Sequence, residues 1–348
     1  MSSSDFCLPF QLDHNNFRGR LVRLGPVMDD IIRRHDYPRP VAKLLGETML
    51  LCAALAGALK YDGVFTLQAK GDGAIRDVVA DVSADGAIRA YASFDRERVE
   101  REDPGTDATA LLLGHGYIAF TVDPSDPDAQ RYQGIAELKG RTLGDCVTYY
   151  FQKSEQIATG FAVACDQLDN PHGQPGWRGG AVMLQRMPKA EDDMAGGTGR
   201  NPIDPGIGDN DNHDINFEAR AEDLRRKMIL LGSTQDAELL DVALPGETLV
   251  TRLFHDDAMT LEEPYALRDE CRCSRARVER VLRTLPPEER EEMIEKGNAS
   301  VTCEFCNRHY EFDADEIRNL DKVFHIDIPQ AKLAEDHKED SHAEEPPR

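Results

Sequence analysis

An α+β fold with a small metal-binding unit near its C-terminal end is what the 348-residue sequence predicts. Three observations carry that expectation. Short β-favouring runs alternate with amphipathic stretches through the first half, marginal helical pieces follow a Gly- and Asp-rich interruption, and two close pairs of cysteines sit near the end. A chain of this length exceeds the ~100–200 residues usual for one domain, so more than one unit is expected.

Residues 1–188 read as an N-terminal α+β core. Val41, Leu44, Leu45, Thr48, Leu51, Cys52, Leu55 and Leu59 recur at the three-and-four spacing that buries one face of a helix. Runs at 64–69, 75–82 and 87–93 favour strands, and Gly71, Asp72, Gly73, Asp85 and Gly86 between them favour turns, so a meander is expected. A second helix is predicted over 143–152, with strands at 158–164 and 181–185.

Composition shifts at 189–216 to Gly, Asp, Asn and Pro, with too few apolar residues to offset the entropy of ordering, and a disordered insertion is expected. Helical periodicity returns across a linker, 217–266, in pieces at 218–231, 237–243 and 247–255. Each is too short to be stable alone and must lean on another surface. A final unit, 267–328, is predicted to hold a helix over 274–285 capped by Ser274, a helix over 287–296 with Pro at its first turn, and a hairpin over 301–312. Residues 329–348 form a polar, acidic stretch expected to be disordered.

Charge narrows the function classes. The formal net charge is −23, from 64 acidic against 41 basic residues. Such a field repels phosphate backbones and anionic membranes, so nucleic-acid binding is a poor expectation. Residues 1–10 lack the basic start and apolar run of a signal peptide, and no stretch reads as a membrane span, so a cytoplasmic location is expected. In a reducing compartment eight cysteines do not imply a disulfide framework, and clustering among them calls for metal or redox chemistry.

That clustering is specific. Cys271 and Cys273 form C-x-C, Cys303 and Cys306 form C-x-x-C, and 29 residues separate the pairs. Two thiol pairs on separate elements suit a tetrahedral zinc site with ligands at ~2.3 Å. Four cysteines that never meet metal remain the plainer alternative. In Cys303-Glu304-Phe305-Cys306-Asn307 the Asn after the second ligand suits a left-handed backbone. The single residue inside the first pair is fewer than structural zinc sites usually place there, and a disulfide across it would close a small, strained and reducible ring. One Zn2+ bound by four thiolates leaves no position for water, which argues against hydrolytic catalysis. It would also supply ~10–16 kcal/mol of folding free energy, more than so small a polar unit gains from its core.

Arg268, Arg272, Arg275 and Arg277 crowd the first pair and favour thiolate over thiol there. Alternatively, they are a solvated face with ion partners in Glu270 and Glu279. Cys7, Cys52, Cys146 and Cys165 are isolated and read as small buried hydrophobes. His309 reads as a surface residue or a neighbour of the site. Gly71-Asp72-Gly73 is followed by no phosphate-loop signature, so no ATP site is expected.

The cysteine pairs, together with Leu44-Leu45-Gly46-Glu47, residues 63–68, Tyr150-Phe151-Gln152-Lys153-Ser154-Glu155-Gln156, Gly179-Gly180 and Cys273-Ser274-Arg275, resemble the bacterial heat-shock protein 33 family of redox-regulated chaperones, also called 33 kDa chaperonins. The resemblance spans roughly 10–321. It implies a substrate-binding N-terminal domain, a metastable helical linker and a C-terminal zinc redox switch. Oxidation would then pair Cys271 with Cys273 and Cys303 with Cys306, releasing zinc and unfolding the linker. A monomer when reduced and a homodimer when oxidised, holding unfolded or oxidatively damaged clients without ATP and without enzymatic activity, is the implied behaviour. The sequence departs from that pattern in its Gly- and Asp-rich stretch and its acidic end. Two other readings compete: a permanent zinc-ribbon interaction protein, and a thiol-disulfide oxidoreductase using Cys303 and Cys306, whose hairpin setting differs from a thioredoxin-like βαβ unit.

Overall fold

The computed structural model describes residues 4–13, 16–58, 62–102, 109–126, 128–169, 175–187, 211–295 and 300–320, with backbone alone for 211–220. Residues 189–210 of the expected insertion and all of 329–348 lie outside the described residues. By compactness the chain divides into Met1–Arg272 with Cys303–Arg308, and Cys273–Thr302 with His309–Arg348. The expected boundary near 267 therefore shifts, because 267–272 and 303–308 pack with the larger unit.

The larger unit begins with β1 (Phe6–Leu12), β2 (Phe17–Leu24), α1 (Pro26–Arg33) and α2 (Arg39–Ala58). The expected meander follows as β3 (Gly63–Gly71), β4 (Ile75–Ser83) and β5 (Ala87–Phe94), then α3 (Arg96–Glu102), β6 (Gly116–Pro124) and β7 (Tyr132–Glu137). Next come α4 (Leu143–Tyr150), β8 (Thr159–Asp169) and β9 (Pro175–Arg186). Three linker helices, α5 (Asp211–Gly232), α6 (Asp236–Leu240) and α7 (Gly246–Leu253), lead into β10 (Met259–Leu261), β11 (Tyr265–Ala266) and β12 (Arg268–Asp269). Helix α5 thus starts before the expected 218. Its first residues, Asp211, Asn212, His213 and Asp214, carry no apolar period to signal a helix.

Two sheets form. One runs β10-β1-β2-β9-β8 with β11 also on β1, and the other runs β12-β5-β4-β3-β6-β7. The pairing of β1 with β2 sets Phe10 opposite Gly19, and a Cβ at Gly19 would lie 2.0 Å from the Phe10 ring, so only glycine fits there.

Helix α2 packs against strands of both sheets. Leu44, Leu45, Leu51 and Cys52 lie in one core with Val22, Met183, Leu67 and Val78. Among the described residues it is the one helix long and apolar enough to cross a membrane, which corrects the expectation that no stretch approaches that composition. Being covered on several sides, it is apolar nearly all round, as a central core helix must be.

The first sheet is apolar on both faces. Cys7, Val22, Leu24, Ala181 and Met183 point into the α2 core, and the alternate residues Leu8, Phe10, Leu12, Leu21, Val182 and Leu184 point the other way. That second face is covered by Leu231 of α5, Leu239 of α6, Leu249, Val250 and Leu253 of α7, and Phe254. Helices α6 and α7, five and eight residues long, find their stability here, as their length demands. At ~25 cal/mol per Å2, each such buried side chain contributes roughly 1.5–3 kcal/mol.

A buried cation pins α5. The Lys227 ammonium, fully buried, lies 2.6 Å from Asp13 and 3.0 Å from Asp257, pairs with Asp223, and sits 4.8 Å from the Phe17 ring centroid. Burial alone would lower its pKa, but hydrogen bonds to Asp13, Asp223 and Asp257 outweigh that and raise it.

The smaller unit contains α8 (Arg275–Thr284), α9 (Pro287–Glu295), β13 (Ser300–Thr302), β14 (His309–Glu311) and α10 (Ala314–Arg318). Ser274 caps α8 through its hydroxyl, and Asp313 with Glu316 forms a capping box on α10. Its buried apolar residues are Leu282, Tyr310, Phe312, Ile317 and Leu320, a small core for its length.

Lys227→Ala would leave three carboxylates facing one another and should destabilise the seat of α5 by about 3 kcal/mol. The expected result is greater dye binding and faster proteolysis between 211 and 255. Because the folded-state pKa is raised, the Lys227 contribution is full below its ordinary pKa of ~10.4 and is lost only as pH climbs through the raised value. Unchanged dye binding between neutral and pH ~9 in the native protein, with unmasking in the variant at both, checks the two statements together.

Candidate metal centre

Strand β12 pairs in parallel with β5, Arg268 opposite Ala87 and Asp269 opposite Ile88, and the Glu270 N–H donates to the Ile88 carbonyl at 3.2 Å. That pairing delivers Cys271 and Cys273 just past the sheet edge, before the Ser274 cap opens α8. The second pair sits in the turn joining β13 and β14. The Asn307 N–H donates to the Cys303 carbonyl at 2.8 Å, and the Cys303 N–H donates to the Arg308 carbonyl at 3.0 Å. Asn307 adopts the left-handed backbone its position calls for, with φ of 58°.

The turn brings the sulfurs together. The Sγ atoms of Cys271, Cys273, Cys303 and Cys306 all lie within 4.8 Å of one another, each half-buried. Cys271 and Cys303, from different pairs, are 3.7 Å apart. A tetrahedral shell with ~2.3 Å metal–sulfur bonds has edges of ~3.8 Å, whereas a disulfide would bring two sulfurs to ~2.05 Å. The spacing therefore fits four thiolate ligands around one soft divalent ion, all four positions filled by protein. The donor set suits Zn2+ over harder cations.

Neighbouring groups complete the site. The Tyr310 hydroxyl donates to Cys273 Sγ at 3.1 Å. Arg89 on β5 places Nη1 4.0 Å from Cys271 Sγ and its guanidinium 3.8 Å from the Phe305 ring centroid. Phe305, inside the C-x-x-C turn, also meets Tyr91 edge-on at 4.7 Å, and Asn307 Nδ2 donates to the Arg34 carbonyl at 3.3 Å. Beneath them lies Asp81 of β4, buried, accepting from Thr66 at 2.6 Å, from Arg89 at 2.7 and 2.8 Å, and from Arg272 at 2.6 Å.

Of the four arginines near the first pair, Arg268 bonds to Glu270 and Asp85, and Arg275 to Glu316, Glu279 and the Glu311 carbonyl, so the solvated-face reading describes them. Arg272 instead turns into the protein. Arg89, Asp81, Phe305 and Tyr310 were not foreseen. A carboxylate in the apolar run 75–82 was the available signal for Asp81. His309 is exposed, its Nδ1 2.8 Å from the Thr302 hydroxyl.

The other four cysteines are buried, and burial pushes the Cys7 and Cys146 thiols up to about 11 and those of Cys52 and Cys165 well above their ordinary value. A second group of acidic residues, Asp13, Asp223 and Asp257, has metal-like spacing, but the Lys227 ammonium already occupies its centre. The turn at Gly71-Asp72-Gly73 is structural: Asp72 accepts from the His115 N–H at 2.8 Å.

Comparison with known proteins agrees with this architecture. The family model described as Hsp33 protein matches residues 5–313. The 33 kDa chaperonin of Caulobacter vibrioides is 36% identical over 312 residues, covering 89% of this chain and 95% of that protein. That of Pseudomonas fluorescens SBW25 is 34% identical over 331 residues, covering 94% and 97%. Among solved structures, the 33 kDa chaperonin (heat shock protein 33 homolog) of Thermotoga maritima superposes with a TM-score of 0.69 at 21% identity, over 92% of this chain and 98% of that one, which shows the shared fold.

The burial contrast predicts two classes of thiol. With metal chelated, the native protein should give four fast-reacting thiols in a chromogenic disulfide assay, and the remaining four only after unfolding. A fifth fast thiol would mean that one of Cys7, Cys52, Cys146 and Cys165 is accessible.

Proposed function

This chain belongs to the Hsp33 family, and from that premise we propose that it is a redox-regulated, ATP-independent holding chaperone, switched on when its four clustered cysteines are oxidised and release Zn2+. The observation that carries the reading is the doubly apolar first sheet, whose second face is covered by the linker helices α5, α6 and α7. A surface of Leu8, Phe10, Leu12, Leu21, Val182 and Leu184 is what an unfolding client would find once that cover left.

Each step follows from chemistry on this chain. Zn2+ bound by Cys271, Cys273, Cys303 and Cys306 would supply the folding free energy that the small C-terminal core lacks. Peroxide takes two electrons from each thiolate pair, Cys271 with Cys273 and Cys303 with Cys306, forming one disulfide per pair while the peroxide leaves as water. A disulfide sulfur is a poor ligand, so the ion departs. The chain from Cys271 back to α7 runs through β12, β11 and β10 and is continuous with the linker, so loosening at the cysteines frees helices that are marginal by themselves. Exposed apolar faces would favour both client capture and pairing of two oxidised copies, against a monomeric reduced form. A reducing cytoplasm, where the thiolates persist until oxidants rise, is the fitting location.

The test follows zinc with a chromogenic chelator while peroxide is added at raised temperature, with far-UV circular dichroism in the same cuvette. Release of about one zinc per chain with partial loss of helix, reversed by reductant and zinc, and a model client kept from aggregating only by the oxidised form, is the expected result. Retained zinc with an unchanged spectrum would assign the centre a permanent structural role instead. Oxidised protein that binds no more hydrophobic dye than the reduced form would remove the holding activity from the reading.

A further inference from the structure

The cysteine centre touches the second sheet through residues that none of the preceding steps uses. Asp81 is buried in β4, yet its carboxylate holds two guanidinium groups, one from β5 and one from the residue between Cys271 and Cys273. Arg89 in turn reaches toward Cys271 Sγ and stacks on Phe305, the residue before the ligand Cys306. Cysteine residues from both pairs are thereby tied to one buried acid.

We propose that Asp81 is the positioning residue of the metal centre, anchoring it on the outer face of the β4–β5 hairpin through Arg272 and through Arg89 stacked on Phe305. The charge balance favours this arrangement. Four thiolates around a divalent ion would carry a net charge of −2, and Arg89 and Arg272, with Asp81 between them, bring a net charge of +1 against it. Asp81 fixes both guanidiniums in place, so their side-chain entropy is already lost before the metal binds. The planar fork of arginine suits bidentate contact with a carboxylate together with stacking on a ring, which lysine could not supply. When the ion leaves and the sulfurs lose their charge, the attraction between Arg89 and Cys271 is lost, and the Phe305 turn keeps only its ring contacts with Arg89 and Tyr91. Zinc loss then loosens this turn by a route that does not pass through the linker helices.

The inference rests on the four cysteines binding zinc, and its test reads metal release under reducing conditions, apart from holding activity. In the full-length zinc-loaded protein, Phe305→Ala and Arg89→Gln should each speed chelator-driven zinc release about tenfold. Because Arg89 and Phe305 act through one stacked contact, the double variant should release no faster than the faster single variant. Arg89→Lys, which keeps the charge without the fork, should behave as Arg89→Gln does. The visible thiolate bands of the cobalt-substituted protein should stay in place in every variant, since the ligand set is unchanged. Phe305→Ala alters no strand, so a folding failure of the β5 variants leaves it as the deciding measurement. Release by Phe305→Ala within about twofold of wild type, or rates that multiply in the double variant, would overturn the proposal. A wild-type protein that bound no zinc would instead refute the metal-centre reading, and the anchoring role with it.

Discussion

Four cysteine sulfurs within 4.8 Å of one another are the constraint on which the C-terminal part of this chain depends. As thiolates without a counter-ion, any two at the 3.7 Å seen between Cys271 and Cys303 would repel by roughly 4 kcal/mol at an effective dielectric near 20. A divalent ion reverses that balance. The smaller unit has little else to draw on: Leu282, Tyr310, Phe312, Ile317 and Leu320 are its main buried apolar groups, and α9 is rich in glutamate. A fold held by one such ion would be lost in one step with it.

The larger unit shows the opposite economy. Helix α2, between two sheets, gives it a core that needs no metal. Its first sheet nevertheless carries apolar residues on both faces, which ordinarily requires a permanent second layer. Here that layer is α5, seated by a single caged lysine, with α6 and α7, which are only five and eight residues long. Under the proposed function, the cover would leave while the core persists.

Much of this was legible in the sequence, for identifiable reasons. The α2 spacing, the strands at 64–69, 75–82 and 87–93 and the Ser274 cap are local signals, and local signals decided those elements. Strand β1 was missed because Phe6–Leu12 is apolar on both faces and contains Pro9, so it shows neither alternation nor an uninterrupted strand pattern. Strands β6 and β7 have mixed burial and carry few β-branched residues at their ends. The cysteine spacing pointed to the four sulfurs that cluster, since paired thiols announce themselves. Their supports did not, because Asp81 and Arg89 lie far from this pair in sequence, and Arg89 meets Cys271 and Asp81 meets Arg272 only through the pairing of β12 with β5. The lysine cage was hidden for the same reason: Asp13, Asp223 and Asp257 come from three separate segments.

The acidic character of the chain bears on the same division of labour. A net charge of −23 opposes compaction everywhere, and it weighs most on elements with the least apolar contact, which here are the linker and the C-terminal unit. Cations are accordingly concentrated where those elements must be held: Lys227 and Arg226 between the carboxylates that seat α5, Arg89 and Arg272 beside the sulfurs, Arg275 and Arg318 within the smaller unit. Screening weakens exposed pairs but leaves buried ones largely intact, so Lys227 and Asp81 are the points at which this electrostatic scheme resists salt. A metal held by the four cysteines would be the one cation in the scheme that can be removed without changing a residue, which is why a switch built on this chain would act there.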